Sequence, residues 1–320
     1  MKSERIRKIT DGSIIVALYG LIFLLGRFTG GHLESAISFA LPLPLAIFAY
    51  KYNLKSSLIP FVASIVISFL LSVNPLNVLV YNIPYLIIGA LLGGFLVKKN
   101  LNPVYSILII TVISVISEVL GTLVLSEFLG FENIFVEINN FVIKVEELIG
   151  VNSGDFVIIQ ALLEGLIPSI IAVVSLLISI TVYLLFVMLA ERILKCDFNK
   201  KVLQIFSLDN LIPKPLSIAY ICISICAIVS LFFYSSCEGS IRVIFNVLIN
   251  ISIILGAVYL YFGIRVSSLF IRYTKKIWLL IIEFVLLMIA SPLFVILGLI
   301  DNFFSLQKKI YNKITKRSEN

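Results

Sequence analysis

The chain has 320 residues, 60% of them hydrophobic and only 13% charged, with a mean hydropathy of +1.11. Soluble domains carry roughly 45–50% apolar residues, so this chain has nothing to cover a water-facing surface with, and lipid is the expected solvent for most of it. The net charge of +7 does not point to nucleic acid: the basic residues sit at the ends of apolar runs, as the positive-inside bias predicts, and the aromatic–basic interleaving of a single-strand binder is missing.

The start, Met1–Gly26, has the basic and apolar regions of a signal peptide, but no small-x-small cleavage site follows and Arg27 closes the run, so it reads as a retained first span. A crossing helix needs about 20 apolar residues. On that length the candidate spans are 10–26, 34–50, 57–73, 78–97, 103–126, 166–190, 216–235, 243–263 and 277–300. The expected fold is all-α: a polytopic transmembrane helix bundle of about eight spans, within a range of seven to nine.

Lys and Arg set the expected orientation. They cluster at 2–8, 51–55, 98–99, 192–201, 214, 265–276 and 308–317, which places the N-terminus in the cytoplasm of a cell whose inner membrane the protein crosses many times. A ninth full crossing would put the basic tail outside. Ser291-Pro292 breaks that last run, so eight crossings with both ends inside is the preferred count and nine the alternative.

The segment 127–155 is the longest hydrophilic insert. It is acidic, with apolar residues such as Phe135, Ile138, Phe141 and Val142 at helical spacing, and it is expected to lie on the outer surface as an amphipathic cap or lid. The polar stretch after Lys195, ending in Pro213-Lys-Pro215, marks the expected internal boundary between a six-span part, 1–195, and a C-terminal part, 196–320.

Ionisable groups at membrane depth are functional candidates by default. Glu118 lies well inside the fifth span, Glu164 precedes Pro168 at a helix entrance, and Glu283 lies in the last run; each is alternatively a carboxylate paired within the bundle. The elbow after the first span carries Arg27, His32 and Glu34 around Gly30-Gly31. It offers a cradle for a small polar ligand, or Arg27 and Glu34 simply pair with each other. Small residues Ser13, Ala17 and Gly20 on the first span, and Gly89 and Gly93 on the fourth, suit close helix packing or a partner interface. Asn82, Asn246 and Asn250 place amides in spans, where they commonly bond across helices.

The four cysteines, at 196, 222, 226 and 237, form no Cys-x-x-Cys pair, and His32 is the sole histidine, so neither a metal site nor a cofactor is expected. There is no Walker loop, no His-Glu-x-x-His and no nucleophile elbow. Enzymatic activity is therefore not expected.

Three stretches resemble the YybS-like family of bacterial membrane proteins. They are Thr10-Asp-Gly-Ser-Ile-Ile-Val-Ala17-Leu-Tyr, then Leu41-Pro-Leu-Pro44 with the basic turn Tyr50-Lys-Tyr-Asn-Leu-Lys55, and Ile296-Leu-Gly298-Leu-Ile-Asp301-Asn-Phe-Phe-Ser-Leu-Gln-Lys-Lys. Gln307 departs from an arginine common there. That family is distantly similar to the substrate-binding S components of energy-coupling-factor vitamin transporters. The resemblance implies a six-helix core with both ends inside, a small-molecule solute as ligand, and a coupling subunit with an ATPase pair as partners. It also implies that Ser13-x-x-x-Ala17 stands where an Ala-x-x-x-Ala face meets the coupling subunit, and that Arg27–Glu34 is the loop covering the ligand. A membrane scaffold that binds protein rather than solute is the alternative function.

Overall fold

In hydrocarbon a backbone amide has only its own segment to bond to, so long apolar runs close their hydrogen bonds as helices. The computed structural model has this form. It describes residues 2–29, 38–99, 101–129, 140, 143–144, 153–194, 213–234, 237, 239–274 and 278–310, and among them there is no strand.

The helices in chain order are α1 (Lys2–Phe28), α2 (Pro42–Tyr52), α3 (Leu54–Leu71), α4 (Pro75–Val97), α5 (Pro103–Leu129) and α6 (Ser153–Leu194). They are followed by α7 (Lys214–Phe233), α8 (Ser240–Thr274), α9 (Leu279–Ile289) and α10 (Ser291–Phe304). Among the described residues seven helices, α1 and α3 to α8, are long and apolar enough to cross a bilayer. The chain is a polytopic helical bundle protein.

One expected span takes another form, and part of a second lies outside the described residues. Of the run at 34–50, residues 38–50 are described; they hold the 3-10 turn Ser38–Ala40 and most of the 11-residue α2, which is about 16 Å long at the helical rise, against a hydrocarbon core of about 30 Å. Its prolines supply no N–H and sit where a helix can start without one. The run at 277–300 becomes two short helices of 11 and 14 residues. The break falls at Ala290, with Pro292 in the first turn of α10. Most of the 127–155 insert and the boundary stretch after Leu194 lie outside the described residues.

By contacts the chain forms two units. The first is Met1–Asn140 with Val174–Ile205; the second is Phe141–Val173 with Phe206–Asn320. Thus α6 gives its earlier part to the second unit and its later part to the first.

In the first unit, α3 has the pattern of a helix in lipid rather than water. It buries Ser57, Pro60, Ser64 and Ser68 and exposes Leu58, Ile59, Val62, Val66 and Leu70. Small residues let the backbones approach, and the exposed faces suit acyl chains. The interior is filled by Tyr19, Phe23, Leu45, Leu86, Leu92, Tyr183 and Phe186, and the buried Tyr19 hydroxyl donates to the Leu41 carbonyl. Gly89 and Gly93 face the α2 backbone: a Cβ at Gly93 would lie 2.9 Å from Ala46 Cα. α4 also contains two π-helical stretches, Val78–Asn82 and Leu92–Val97.

In the second unit, α7 likewise buries Ser217, Tyr220, Ala227 and Ser230 and exposes Ile225, Ile228, Phe232 and Phe233. α10 crosses α8 with backbones nearly touching, since a Cβ at Gly263 would lie 2.9 Å from Phe294 Cα. The Ser217 hydroxyl joins the Tyr259 hydroxyl at 2.8 Å and accepts from Asn302 Nδ2.

Candidate functional site

Apolar spans can tolerate a polar group only where it is held away from lipid, so the site is sought where polar side chains gather inside a unit. In the first unit this happens where α5 meets the π-helical stretch of α4. The Ser117 hydroxyl donates to the Val80 carbonyl at 2.6 Å. One turn later Gly121 admits the Tyr81 ring, whose Cζ would lie 2.7 Å from a Cβ there. A π-helical turn leaves backbone carbonyls without their usual donor geometry, and such turns recur at functional sites.

Glu118 stands on this face, half-buried. Among the described residues no ion pair or hydrogen bond reaches its carboxylate; only its backbone carbonyl is engaged, by Thr122 Oγ1 at 2.7 Å. Next to Tyr81 in sequence, Asn82 is 2% exposed, and among the described residues neither its amide nitrogen nor its amide oxygen has a partner. The Ser114 hydroxyl, one turn before Ser117, is also buried and unpartnered. Buried amides are normally hydrogen-bonded to protein or to ordered water, so these groups are candidates for binding. Glu118 and Ser114 on α5 and Asn82 on α4 thus lie on two helices that pack against each other.

The second unit holds a different polar arrangement. Pro168 interrupts α6, and because proline has no N–H the Glu164 carbonyl loses its normal donor. At the next step the Asn250 side chain of α8 bonds to the backbone of α6. Its Nδ2 donates to the Gly165 carbonyl at 2.6 Å and its Oδ1 accepts from the Ser169 N–H at 2.8 Å. Asn246, one turn away, accepts from the Tyr234 hydroxyl at 2.9 Å and lies so close to Gly165 that a Cβ there would be 2.7 Å from its Cγ. The Glu164 carboxylate accepts from Gln160 Nε2 at 2.9 Å.

These positions separate the residues singled out from the sequence. Arg27 is exposed in the last turn of α1, and among the described residues nothing links it to Glu118. His32 and Glu34 lie outside the described residues. Glu118 belongs to the first unit and Glu164 to the second. Glu283 is buried in α9 and accepts from the Ser268 hydroxyl at 3.2 Å. Ser13 and Ala17 are exposed, whereas Gly20 turns inward against Ile67 and Leu71. Tyr81, Ser114 and Ser117 were missed; the signal for the serines was their three-residue spacing directly before Glu118. Among the described residues no cluster of His, Cys, Asp or Glu could hold a metal ion.

The three stretches of family-like sequence also acquire structural roles. The first two meet: Lys51 pairs with Asp11, and the Tyr52 hydroxyl donates to the same carboxylate at 2.5 Å. That carboxylate holds the Lys51 ammonium above its usual pKa range. In the third, Gly298 lets α10 lie on the Tyr259 backbone, and Asp301 accepts from the Gln307 N–H at 2.8 Å.

A bundle of apolar helices with inward serines and outward aliphatic side chains defines a polytopic membrane protein. The chain belongs to the family described as "Predicted membrane protein (DUF2232)", whose model matches residues 17–302. No curated protein and no solved structure matches it.

Proposed function

We propose that the protein is a solute-binding subunit of a membrane transporter, with Glu118 in its binding site. The observation that carries this reading is the half-buried Glu118 carboxylate at span depth, which no ion pair or hydrogen bond reaches among the described residues, together with the buried Asn82 amide on the neighbouring helix, also without a partner among them. A charge left there without a counter-ion is costly, and an arriving ligand group relieves that cost. The first unit contains α1 to α5 and the later part of α6, six helical segments that suit the S-component resemblance. On this reading the N-terminus is cytoplasmic, the protein sits in the inner membrane, the solute enters from outside, and a separate coupling subunit and ATPase pair supply the energy.

The test is heat stabilisation of the detergent-purified protein across a metabolite set containing vitamins and organic cations. One compound should raise the melting temperature of the wild type and not of Glu118→Gln. A broad set that stabilises neither would count against the reading. A second reading, a membrane scaffold, is favoured by one observation: Ser13 and Ala17 are exposed on α1. That face also fits a coupling subunit, and mass spectrometry of proteins co-purified in mild detergent separates the two.

A further inference from the structure

A second polar site, independent of Glu118, lies at one end of the first unit. There a cavity of about 430 Å³ opens between α1, α2 and the end of α6. Its walls change character in the same order on two helices. Along α1 the lining runs from Arg7 to Asp11 and then to Ile14 and Ile15; along α2 it runs from Lys51 back to Phe48 and Ile47; Ile193 and Leu194 close the side. One end of the lining is charged and the other is aliphatic and aromatic, with Ile15 and Phe48 buried and Ile14 and Ile193 exposed.

The charges at that end are not equivalent. The Asp11 carboxylate is satisfied by Lys51 and by the Tyr52 hydroxyl, so its field is largely neutralised. Arg7 lies one turn earlier on the same face of α1 and is exposed. Among the described residues no ion pair engages its guanidinium. A guanidinium presents a planar fork that matches two oxygens of a phosphate. Around the opening the end of the unit is basic. Lys8 sits 5.8 Å from the Tyr52 ring, Lys98 donates to the Tyr50 carbonyl at 3.3 Å, and Arg192 precedes the lining Ile193.

We propose that this pocket binds a phosphate group through Arg7 and Lys51, with the acyl chain of an anionic phospholipid lying against Ile14, Phe48 and Ile193. Basic pockets between membrane helices recognise such headgroups by charge, and the apolar wall supplies the part that a soluble anion lacks. The size suits a headgroup with the first part of one chain, within the usual range of ligand pockets.

The experiment uses the full chain, delipidated in detergent, and measures binding by native mass spectrometry and melting temperature. The probes are phosphatidylglycerol, phosphatidylcholine and inorganic phosphate. Phosphatidylglycerol should bind and stabilise more than phosphatidylcholine. Arg7→Gln should weaken phosphatidylglycerol on the order of tenfold, the factor carried by one charge-assisted hydrogen bond. Lys99→Gln removes the same charge from the same end, from a lysine stacked 4.3 Å from the Phe95 ring, and should leave binding unchanged. Equal loss in both variants would mean diffuse attraction to a basic surface and overturn the site, as would equal binding of the two lipids. Stabilisation by inorganic phosphate as large as that by phosphatidylglycerol, and lost in Arg7→Gln, would assign the pocket to free phosphate and overturn the lipid. Ile193→Glu, which puts a carboxylate in the apolar wall, should abolish lipid binding while leaving any phosphate binding in place.

Discussion

Asn250 of α8 bonds to the backbone of α6 beside Pro168. The Ser169 N–H donates to Asn250 Oδ1 at 2.8 Å, and the Gly165 carbonyl accepts from Asn250 Nδ2 at 2.6 Å. Pro168 makes this possible by removing one rung of the ladder and pushing on the carbonyl behind it. In water the carbonyl that Pro168 leaves without a donor would be hydrated; in a bilayer a neighbouring helix has to supply polar partners at such a place.

Replacing Asn250 by Ala should therefore take a partner from both the Gly165 carbonyl and the Ser169 N–H, at about 1–3 kcal/mol for each group left without another. In a Pro168→Ala background α6 can close its own ladder, so the same Asn250→Ala change should cost clearly less. Thermal unfolding of the four proteins in one detergent gives the coupling. Additive effects would show that Asn250 and Pro168 act independently.

Gly93 and Gly20 allow a paired test of helix contact. A Cβ at Gly93 would enter the Ala46 backbone, with Ala46 Cα at 2.9 Å, whereas one at Gly20 would meet only the Leu71 and Ile67 side chains, Leu71 Cδ1 being nearest at 3.7 Å. Gly93→Ala should destabilise by about 1–3 kcal/mol through forced separation of α4 from α2. Gly20→Ala should be neutral, or stabilising by up to about 1 kcal/mol because alanine is the better helix former. Melting temperatures and yields after extraction measure both, and equal behaviour would contradict the packing described.

Hydropathy made most of the bundle legible, because a crossing helix must be long and apolar, and seven such helices stand within the expected runs. The run at 34–50 is only partly described, and there Pro42 and Pro44 stand in the first turn of α2, where a helix can begin without their N–H groups. At the candidate site Glu118 was visible because a carboxylate in an apolar span is rare. Its surroundings were less so: beside the π-helical stretch Val78–Asn82 the local signal is Pro84, which has no N–H to give the Val80 carbonyl that Ser117 reaches. Asn250 and Pro168 were each visible alone, but the hydrogen bond to Ser169 spans 81 residues of sequence, and no periodicity encodes that pairing.

The Asp11–Lys51 pair should give a pH-dependent contribution to stability. The carboxylate raises the Lys51 pKa above its ordinary 10.5. A group whose pKa is raised on folding adds stability that is complete below its unfolded value and is lost as the pH climbs through the folded one. Wild type should thus lose melting temperature more steeply than Asp11→Asn above about pH 10. The pair is partly exposed, so the difference should be small, about 1 kcal/mol or less. Parallel curves for the two proteins would mean that the pair contributes nothing.

The end of α10 offers a test with opposite signs at neighbouring residues. Asp301 is buried, and its carboxylate accepts from the Gln307 N–H at 2.8 Å, where the chain turns into the helical residues 306–310. Removing it in Asp301→Ala leaves that N–H without an acceptor and should cost about 1–3 kcal/mol. Ser305, between them, has a left-handed backbone with φ of 52°, which costs a residue with a Cβ roughly 1 kcal/mol that glycine does not incur. Ser305→Gly should therefore hold or raise the melting temperature while Asp301→Ala lowers it. The two sites share one turn, so the double variant should fall between the singles. Destabilisation by Ser305→Gly equal to that by Asp301→Ala would show that the Ser305 side chain, and not the Asp301 cap, holds the turn.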